Sequence, residues 1–274
     1  MRIAVLQMNA GIDPGANARA LVTAIEEAAA GGADMLFTPE MSGCLDRDRV
    51  RSGAVIVAEA DDPVLTAVRT AARAAGLWVQ LGSLALADPA SGKRRNRSFL
   101  IDAQGMVQAR YDKIHLFDVD LPGGESWRES SSYGSGDRAV VASTPWGRIG
   151  LSICYDLRFP DLYRVLSAAG ADILSVPAAF TVPSGQAHWH VLLRARAIES
   201  SAFIVAAAQV GLHEDGRQTY GHSLVVDPWG TVLLDAGEEP GLYWADLPLD
   251  DIAAVRGRIP SLAHRKHIED IDLP

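Results

Sequence analysis

The chain has 274 residues, 48% hydrophobic and 22% charged, enough to bury the core of one α/β domain spanning residues 1–274. Its net charge is −9, and no Lys/Arg cluster is long enough for a nucleic-acid footprint; the acidic balance also disfavours anionic membrane surfaces as partners. Two cysteines, Cys44 and Cys154, make neither a disulfide framework nor a zinc pattern.

The N-terminal MRIAVLQMNAG lacks the n-region and long apolar h-region of a secretory signal and reads as a first strand, Arg2 to Met8. No apolar run reaches the roughly 18 residues of a membrane span, so a reducing cytoplasm is the expected setting. Asp13-Pro14 is a helix start, and Ala18, Leu21, Val22, Ile25 and Ala28 share one face of the helix that follows. Gly31-Gly32 ends it. Asp34 to Thr38 is a second strand, broken at Pro39-Glu40. A helix over Asp62–Ala75 leads to a strand over Leu77–Leu84, and DPASGK at 88–93 supplies hairpin turn residues. The KRRNR run at 93–97 reads as a solvated turn before strands at Ser98–Ile101 and Val107–Tyr111.

Residues 118–137 are rich in Asp, Gly and Ser and read as a long functional loop. Strands follow near Ala139–Ser143 and Arg148–Ile153, then a helix started by Pro160 and a strand at Ile173–Val176. A helix at about 186–201 precedes strands at Phe203–Gln209, Ser223–Val226, Thr231–Leu234 and Leu242–Leu247. Strand–helix–strand order near both ends implies parallel crossovers, with antiparallel hairpins between. No linker or repeat divides the chain.

The segment SICYDLRFPDLYRVL, residues 152–166, places Cys154 at the end of an apolar strand and before a helix. Side chains at such a strand end project from the sheet rim, where α/β proteins build their sites. Read alone, Cys154 is equally a small buried hydrophobe. Glu40 alone reads as a solvated turn residue, Lys113 as a surface lysine, and Glu129 as an ordinary loop residue.

Together with their flanks, these residues carry a resemblance. TPEMSG around Glu40, YDKIHLFDVDLPGGESWRES around Lys113 and Glu129, SICYDLRFPDLYR around Cys154, HWHVLLRARAIES and YGHSLVVDPWG occur in this order nearly end to end. The chain resembles the nitrilase superfamily of carbon–nitrogen hydrolases, most closely its Nit branch. That resemblance implies an α-β-β-α four-layer sandwich, subunits paired through their helical layers as homodimers or larger homo-oligomers, and a small-molecule amide substrate. It maps the nucleophile to Cys154, the general base to Glu40, the catalytic lysine to Lys113 and the additional glutamate to Glu129.

The chemistry suits these residue types. A thiolate attacks an amide more readily than water does, and the resulting thioester is easier to hydrolyse. Glu40 is placed to take the thiol proton and return it to the leaving ammonia. Lys113 and the backbone N–H of Tyr155 are the expected oxyanion donors. Glu129 then holds Lys113 or the substrate. The scheme needs no histidine and no cofactor; His115 and His222 are expected to be structural hydrogen-bonders, and no metal site is expected because no ligand set has zinc spacing. His188 and His190, at i and i+2, do not share a helix face.

One position departs from the family pattern: His190 stands where the family usually has Glu, which suggests altered substrate preference. For the substrate, Arg158 is a candidate carboxylate binder, and Tyr155, Phe180 and Thr181 are expected to line a small pocket. Arg194 and Arg196 fall on different helix faces, and at least one is expected in a structural ion pair. The expected substrate is a short amide with a distant carboxylate, of the deaminated glutathione or 2-oxo acid ω-amide type. An N-carbamoyl amino acid or a nitrile is the enzymatic alternative, and an idle binding or regulatory subunit the alternative of another class. A redox-sensing Cys44–Cys154 pair is a further, disfavoured reading.

Overall fold

The computed structural model describes residues 1–120, 124 and 126–268. Positions 121–123 and 125 of the expected long loop, and the last six residues of the tail, lie outside this description.

Strand β1 (Arg2–Gln7) leads through α1 (Pro14–Ala30) to β2 (Met35–Phe37). Helices α2 (Arg49–Gly53) and α3 (Pro63–Ala75) precede β3 (Trp78–Asp88), β4 (Lys93–Ile101) and β5 (Val107–Asp112). A small hairpin, β6 (Asp118–Asp120) and β7 (Ser126–Arg128), lies within the segment expected to be loop. The second half continues with β8 (Val140–Thr144), β9 (Gly147–Leu151), α4 (Pro160–Ala168), β10 (Ile173–Ser175) and α5 (Val182–Ser200). After β11 (Phe203–Ala206) comes a short ribbon of β12 (Val210–Leu212) and β13 (Gln218–Tyr220). Strands β14 (Leu224–Val226), β15 (Val232–Asp235) and β16 (Gly241–Asp246) and helix α6 (Asp251–Arg258) follow.

The strands form two six-stranded mixed sheets, ordered β16-β1-β2-β3-β4-β5 and β15-β14-β11-β10-β9-β8. Each has a parallel centre and antiparallel flanks. Alternation along β1 and β2 sorts the layers. Ala4 and Leu36 pack with Leu21 and Ile25 of α1 and Leu65 and Val68 of α3. Their neighbours Ile3, Val5, Met35 and Phe37 join Ile149, Ile173 and Phe203 of the second sheet, in a cluster that continues to Leu162 of α4 and Leu193 of α5. This is the four-layer α-β-β-α arrangement. Each fully buried large aliphatic side chain contributes about 1.5–3 kcal/mol.

Local signals hold at the helix starts. The Asp13 carboxylate accepts from the Gly15 N–H at 2.8 Å, and Asp62 caps α3 by accepting from the Leu65 N–H at 2.7 Å. The KRRNR expectation is corrected: these residues open β4 and pair with β3, with Arg97 opposite Leu84 and Lys93 opposite Asp88. Two of the charges are held in ion pairs, Arg95 with Asp88 and Arg97 with both Glu59 and Asp112, while Lys93 and Arg94 donate to neutral oxygens. Polar side chains on both faces of this stretch hid the strand alternation.

Candidate active site

The C-terminal ends of β2 and β9 lie where the two sheets meet. Glu40 follows β2 in a turn whose next residue, Met41, adopts φ +57°. Ser42 Oγ donates to the Pro39 carbonyl, the Met41 N–H to Ser83 Oγ, and Gln209 Nε2 to the Glu40 carbonyl at 3.0 Å. Close approach is required here: a Cβ on Gly82 would stand 2.0 Å from the Thr38 carbonyl oxygen and 2.4 Å from that of Pro39.

Lys113 is the first residue beyond β5, and its N–H donates to the Asn96 carbonyl of β4 at 2.9 Å. Cys154 opens a 3₁₀ turn, Cys154–Arg158, three residues beyond the end of β9, so the strand stops short of the expected Ile153. The backbone at Cys154 has φ +49°, a left-handed conformation that costs energy for a residue with a Cβ. Asp156 holds it in place. That fully buried carboxylate accepts from the Ile153 N–H at 2.9 Å, Tyr111 Oη at 2.6 Å and the His115 N–H at 3.0 Å, with His115 Nδ1 at 2.7 Å. The Cys154 N–H donates to the Pro177 carbonyl at 2.9 Å.

Three charged groups converge below the thiol. Lys113 Nζ donates to Glu40 Oε1 at 2.9 Å and to Glu129 Oε2 at 2.9 Å. Glu40 Oε2 accepts from the Ala179 N–H at 3.0 Å. Glu129 Oε2 also accepts from the Phe117 N–H at 2.7 Å, which fixes its carboxylate toward Lys113. Burial alone lowers the basicity of Lys113, but Glu129 and Glu40 outweigh it and hold the ammonium well above the usual lysine range. Burial, and next to it the Glu40 carboxylate, push the Cys154 thiol well above the usual thiol range against the pull of Lys113. Two carboxylates against one ammonium leave the cluster net negative, which favours the neutral thiol at rest.

All eight residues expected from sequence line one cavity of about 350 Å³: Glu40, Lys113, Glu129 and Cys154 at its floor, and Tyr155, Arg158, Phe180 and Thr181 around it. The Arg158 guanidinium lies 5.3 Å from the Phe180 ring centre and 5.9 Å from that of Tyr155, with His188 Nδ1 at 3.1 Å. Among the described residues, no carboxylate lies within ion-pair distance of Arg158 or of Arg47, another guanidinium lining the cavity. Arg194 and Arg196 are structural: Arg194 donates to the Gly230 carbonyl, and Arg196 donates to the Leu157 carbonyl and pairs with Glu199.

Several residues escaped the sequence reading. Asn96 Nδ2 donates to Glu40 Oε1 at 2.9 Å and to Glu129 Oε1 at 3.3 Å, so it orients both carboxylates. Its position in KRRNR offered no signal without the β3–β4 register. Asp156 lay inside the cysteine motif without an evident role. Cys44 lines the same cavity as Cys154, and both thiols are free. His190, where the family pattern has Glu, lies outside this cavity. Its Nε2 lies 2.9 Å from Asp235 Oδ2, and it is not among the cavity-lining residues.

The family model for carbon–nitrogen hydrolases matches residues 2–257, and the chain belongs to that family. It is 50% identical over 177 residues to the deaminated glutathione amidase of Synechocystis, a match covering 64% of this chain and 65% of the relative. The NitFhit protein of Caenorhabditis elegans superposes with a TM-score of 0.89 at 38% identity, over 97% of this chain and 65% of that one. The chain thus spans just under two thirds of each of these two proteins. The amidase from Nesterenkonia, whose active-site cysteine was captured as an acrylamide adduct, superposes with a TM-score of 0.78 at 30% identity, over 95% of this chain and 98% of that one.

Proposed function

We propose that this protein is an amidase that hydrolyses the C–N bond of a small carboxylate-bearing amide through a Cys154 thioester. The observation that carries the reading is the convergence of Cys154, Glu40 and Lys113 at the floor of one cavity whose Arg158 and Arg47 lack a carboxylate partner among the described residues. Substrate binding brings a carbonyl carbon to the thiol. Glu40 takes the thiol proton as sulfur attacks, so the neutral resting thiol becomes a thiolate only as the C–S bond forms. Lys113 Nζ and the Tyr155 N–H stabilise the oxygen that gains negative charge, at about 3 kcal/mol per donor. Glu40 returns the proton to departing ammonia, then takes one from the water that opens the thioester. Glu129 and Asn96 position Lys113 and Glu40.

A carboxylate on the substrate suits the guanidinium of Arg158, which offers parallel hydrogen bonds from a planar fork. Deaminated glutathione and 2-oxo acid ω-amides have this form, and the Synechocystis relative bears the name of the first. The reading includes one catalytic unit spanning the chain, a cytoplasmic setting and homo-oligomers paired through the helical layer. Exposed Val165 on α4 and Val191 and Ile198 on α5 support that pairing. Among the described residues, no helix is long and apolar enough to cross a membrane.

The test is ammonia release from deaminated glutathione, 2-oxoglutaramate, glutamine and an N-carbamoyl amino acid, with native protein and Cys154→Ala side by side. Release from either of the first two, abolished by the substitution, is the expected result. Release only from the carbamoyl compound, with carbon dioxide, moves the enzyme to the carbamoylase reading. Silence from a folded protein overturns the substrate assignment and favours an idle subunit.

A further inference from the structure

Away from the cavity, three donors from separate elements meet on the surface. His190 comes from the middle of α5, His222 from the turn between β13 and β14, and Asp235 from the end of β15. His190 Nε2 lies 2.9 Å from Asp235 Oδ2, and His222 Nδ1 lies 2.8 Å from Asp235 Oδ1. One donor atom from each residue falls within 4.8 Å of the others. The two imidazole planes stand 71° apart with centres 5.3 Å apart, so both rings turn a nitrogen edge toward the same carboxylate.

We propose that His190, His222 and Asp235 form a binding site for a divalent transition-metal ion of the Zn²⁺ type. Two imidazole nitrogens and one carboxylate are a donor set for zinc and its first-row neighbours; Mg²⁺ and Ca²⁺ prefer oxygen alone. In the metal-free protein, Asp235 bridges the two histidines as hydrogen-bond acceptor. On binding, each histidine offers a neutral nitrogen, any proton there leaves to solvent, and the carboxylate exchanges its N–H partners for the ion. Three protein ligands leave a fourth position for water.

The frame around the donors is already tied. The His222 N–H donates to the Gly237 carbonyl at 2.8 Å, and the His222 carbonyl accepts from Trp189 Nε1 at 2.8 Å. The Gly237 N–H donates to Asp235 Oδ1 at 3.0 Å. Trp189 is fully buried and adjacent to His190, so the helix residue cannot swing away without disturbing the core. A metal-bound histidine usually directs its other ring nitrogen to a carboxylate. His222 Nε2 faces Glu238 Oε1 at 3.9 Å, and this exposed glutamate closes that gap by rotating. The donor side chains are 19–36% exposed, which leaves the ion a path in.

The test is calorimetric titration of chelator-treated, tag-free protein with ZnCl₂, in a Cys44→Ala/Cys154→Ala background that removes both free thiols. One ion per chain is expected, with affinity reduced at least tenfold in His190→Gln and in His222→Asn. Asn is chosen at 222 because the backbone there has φ +53°, which Asn tolerates. Thermal unfolding in chelator establishes that each variant is folded; Asp235→Asn replaces any that is not. Zn²⁺ is expected to raise the unfolding temperature of the parent and not of the variants. Co²⁺ titration is expected to give visible d–d absorption that both histidine substitutions remove. No saturable Zn²⁺ binding, or binding that survives both histidine substitutions, overturns the site.

Discussion

Lys113 and Glu40 meet at 2.9 Å with side chains only 3% and 5% exposed, and Glu129 reaches the same ammonium from the other side. A charge pair this deep is costly to assemble and more costly to break, because the remaining partner stays buried and uncompensated. Lys113→Met strands two carboxylates, whereas Glu40→Gln leaves Lys113 its Glu129 partner. Lys113→Met is therefore expected to lose about 3–5 kcal/mol in urea unfolding and Glu40→Gln clearly less, while both lose amidase turnover, Lys113→Met by at least about 10²-fold. If Lys113→Met proves as stable as Glu40→Gln, the two-carboxylate account of this cluster is wrong.

The absence of a side chain at Gly82 is the second vulnerable point. A methyl group there meets backbone carbonyls at 2.0 and 2.4 Å, which cannot step aside as a flexible side chain does. Gly82→Ala is expected to cost about 1–3 kcal/mol and to lower kcat by displacing the Pro39–Glu40 turn. Unfolding and steady-state kinetics on one preparation check both, and an unaltered kcat would count against that turn as the support of Glu40.

Alkaline pH should weaken the fold. Burial and Asp46 push the Cys44 thiol up to about 11, and burial followed by Glu129 pushes Tyr133 up to about 12. Cys154, Tyr111 and Tyr163 are also raised, chiefly by burial. The unfolded chain loses these protons first, from about pH 8.5 for the thiols and pH 10 for the phenols. Above those values it binds fewer protons than the folded protein, so stability falls as pH rises. Unfolding temperatures from pH 7 to 10.5 are expected to decline from about pH 8.5 upward, with a shallower slope in Cys44→Ala. A flat profile would contradict the neutral buried thiols.

Arg158 separates binding from chemistry. Its guanidinium stands at the cavity wall near two aromatic rings, and among the described residues its hydrogen-bond partner is His188. A charge-assisted hydrogen bond is worth about 1.5–3 kcal/mol, so Arg158→Ala is expected to raise KM about tenfold or more for a carboxylate-bearing amide. For a neutral short amide KM should change little, and kcat should be nearly unchanged for both. Equal loss on charged and neutral amides would assign Arg158 to packing.

Much of the candidate catalytic cluster was visible as a set of candidates in the chain, because Glu40, Lys113 and Cys154 each sit where a strand ends in a recognisable local motif. Helix starts at Asp13-Pro14 and Asp62-Pro63 were legible for the same reason: a cap acts over two or three residues. Asn96 was not. Its burial between outward-facing Arg95 and Arg97 depends on pairing with Ala85 across the β3–β4 hairpin, and a run of polar residues carries no alternation to reveal its inner face. His190 was legible only as a departure from a pattern; its partner Asp235 is 45 residues away, and only the packing of α5 against the second sheet brings them together.

The sequence by itself determined most of the main strands and helices and the residue types able to carry amide hydrolysis, since these depend on local periodicity, turn chemistry and functional groups. Tertiary structure alone decided what each charge faces. It set the burial that raises the Cys154 thiol, the double clamp on Lys113, the cavity that gathers residues 40 to 181, and the His190–His222–Asp235 cluster. Those depend on distances between segments far apart in the chain and on the loss of water between them, and neither is written in spacing.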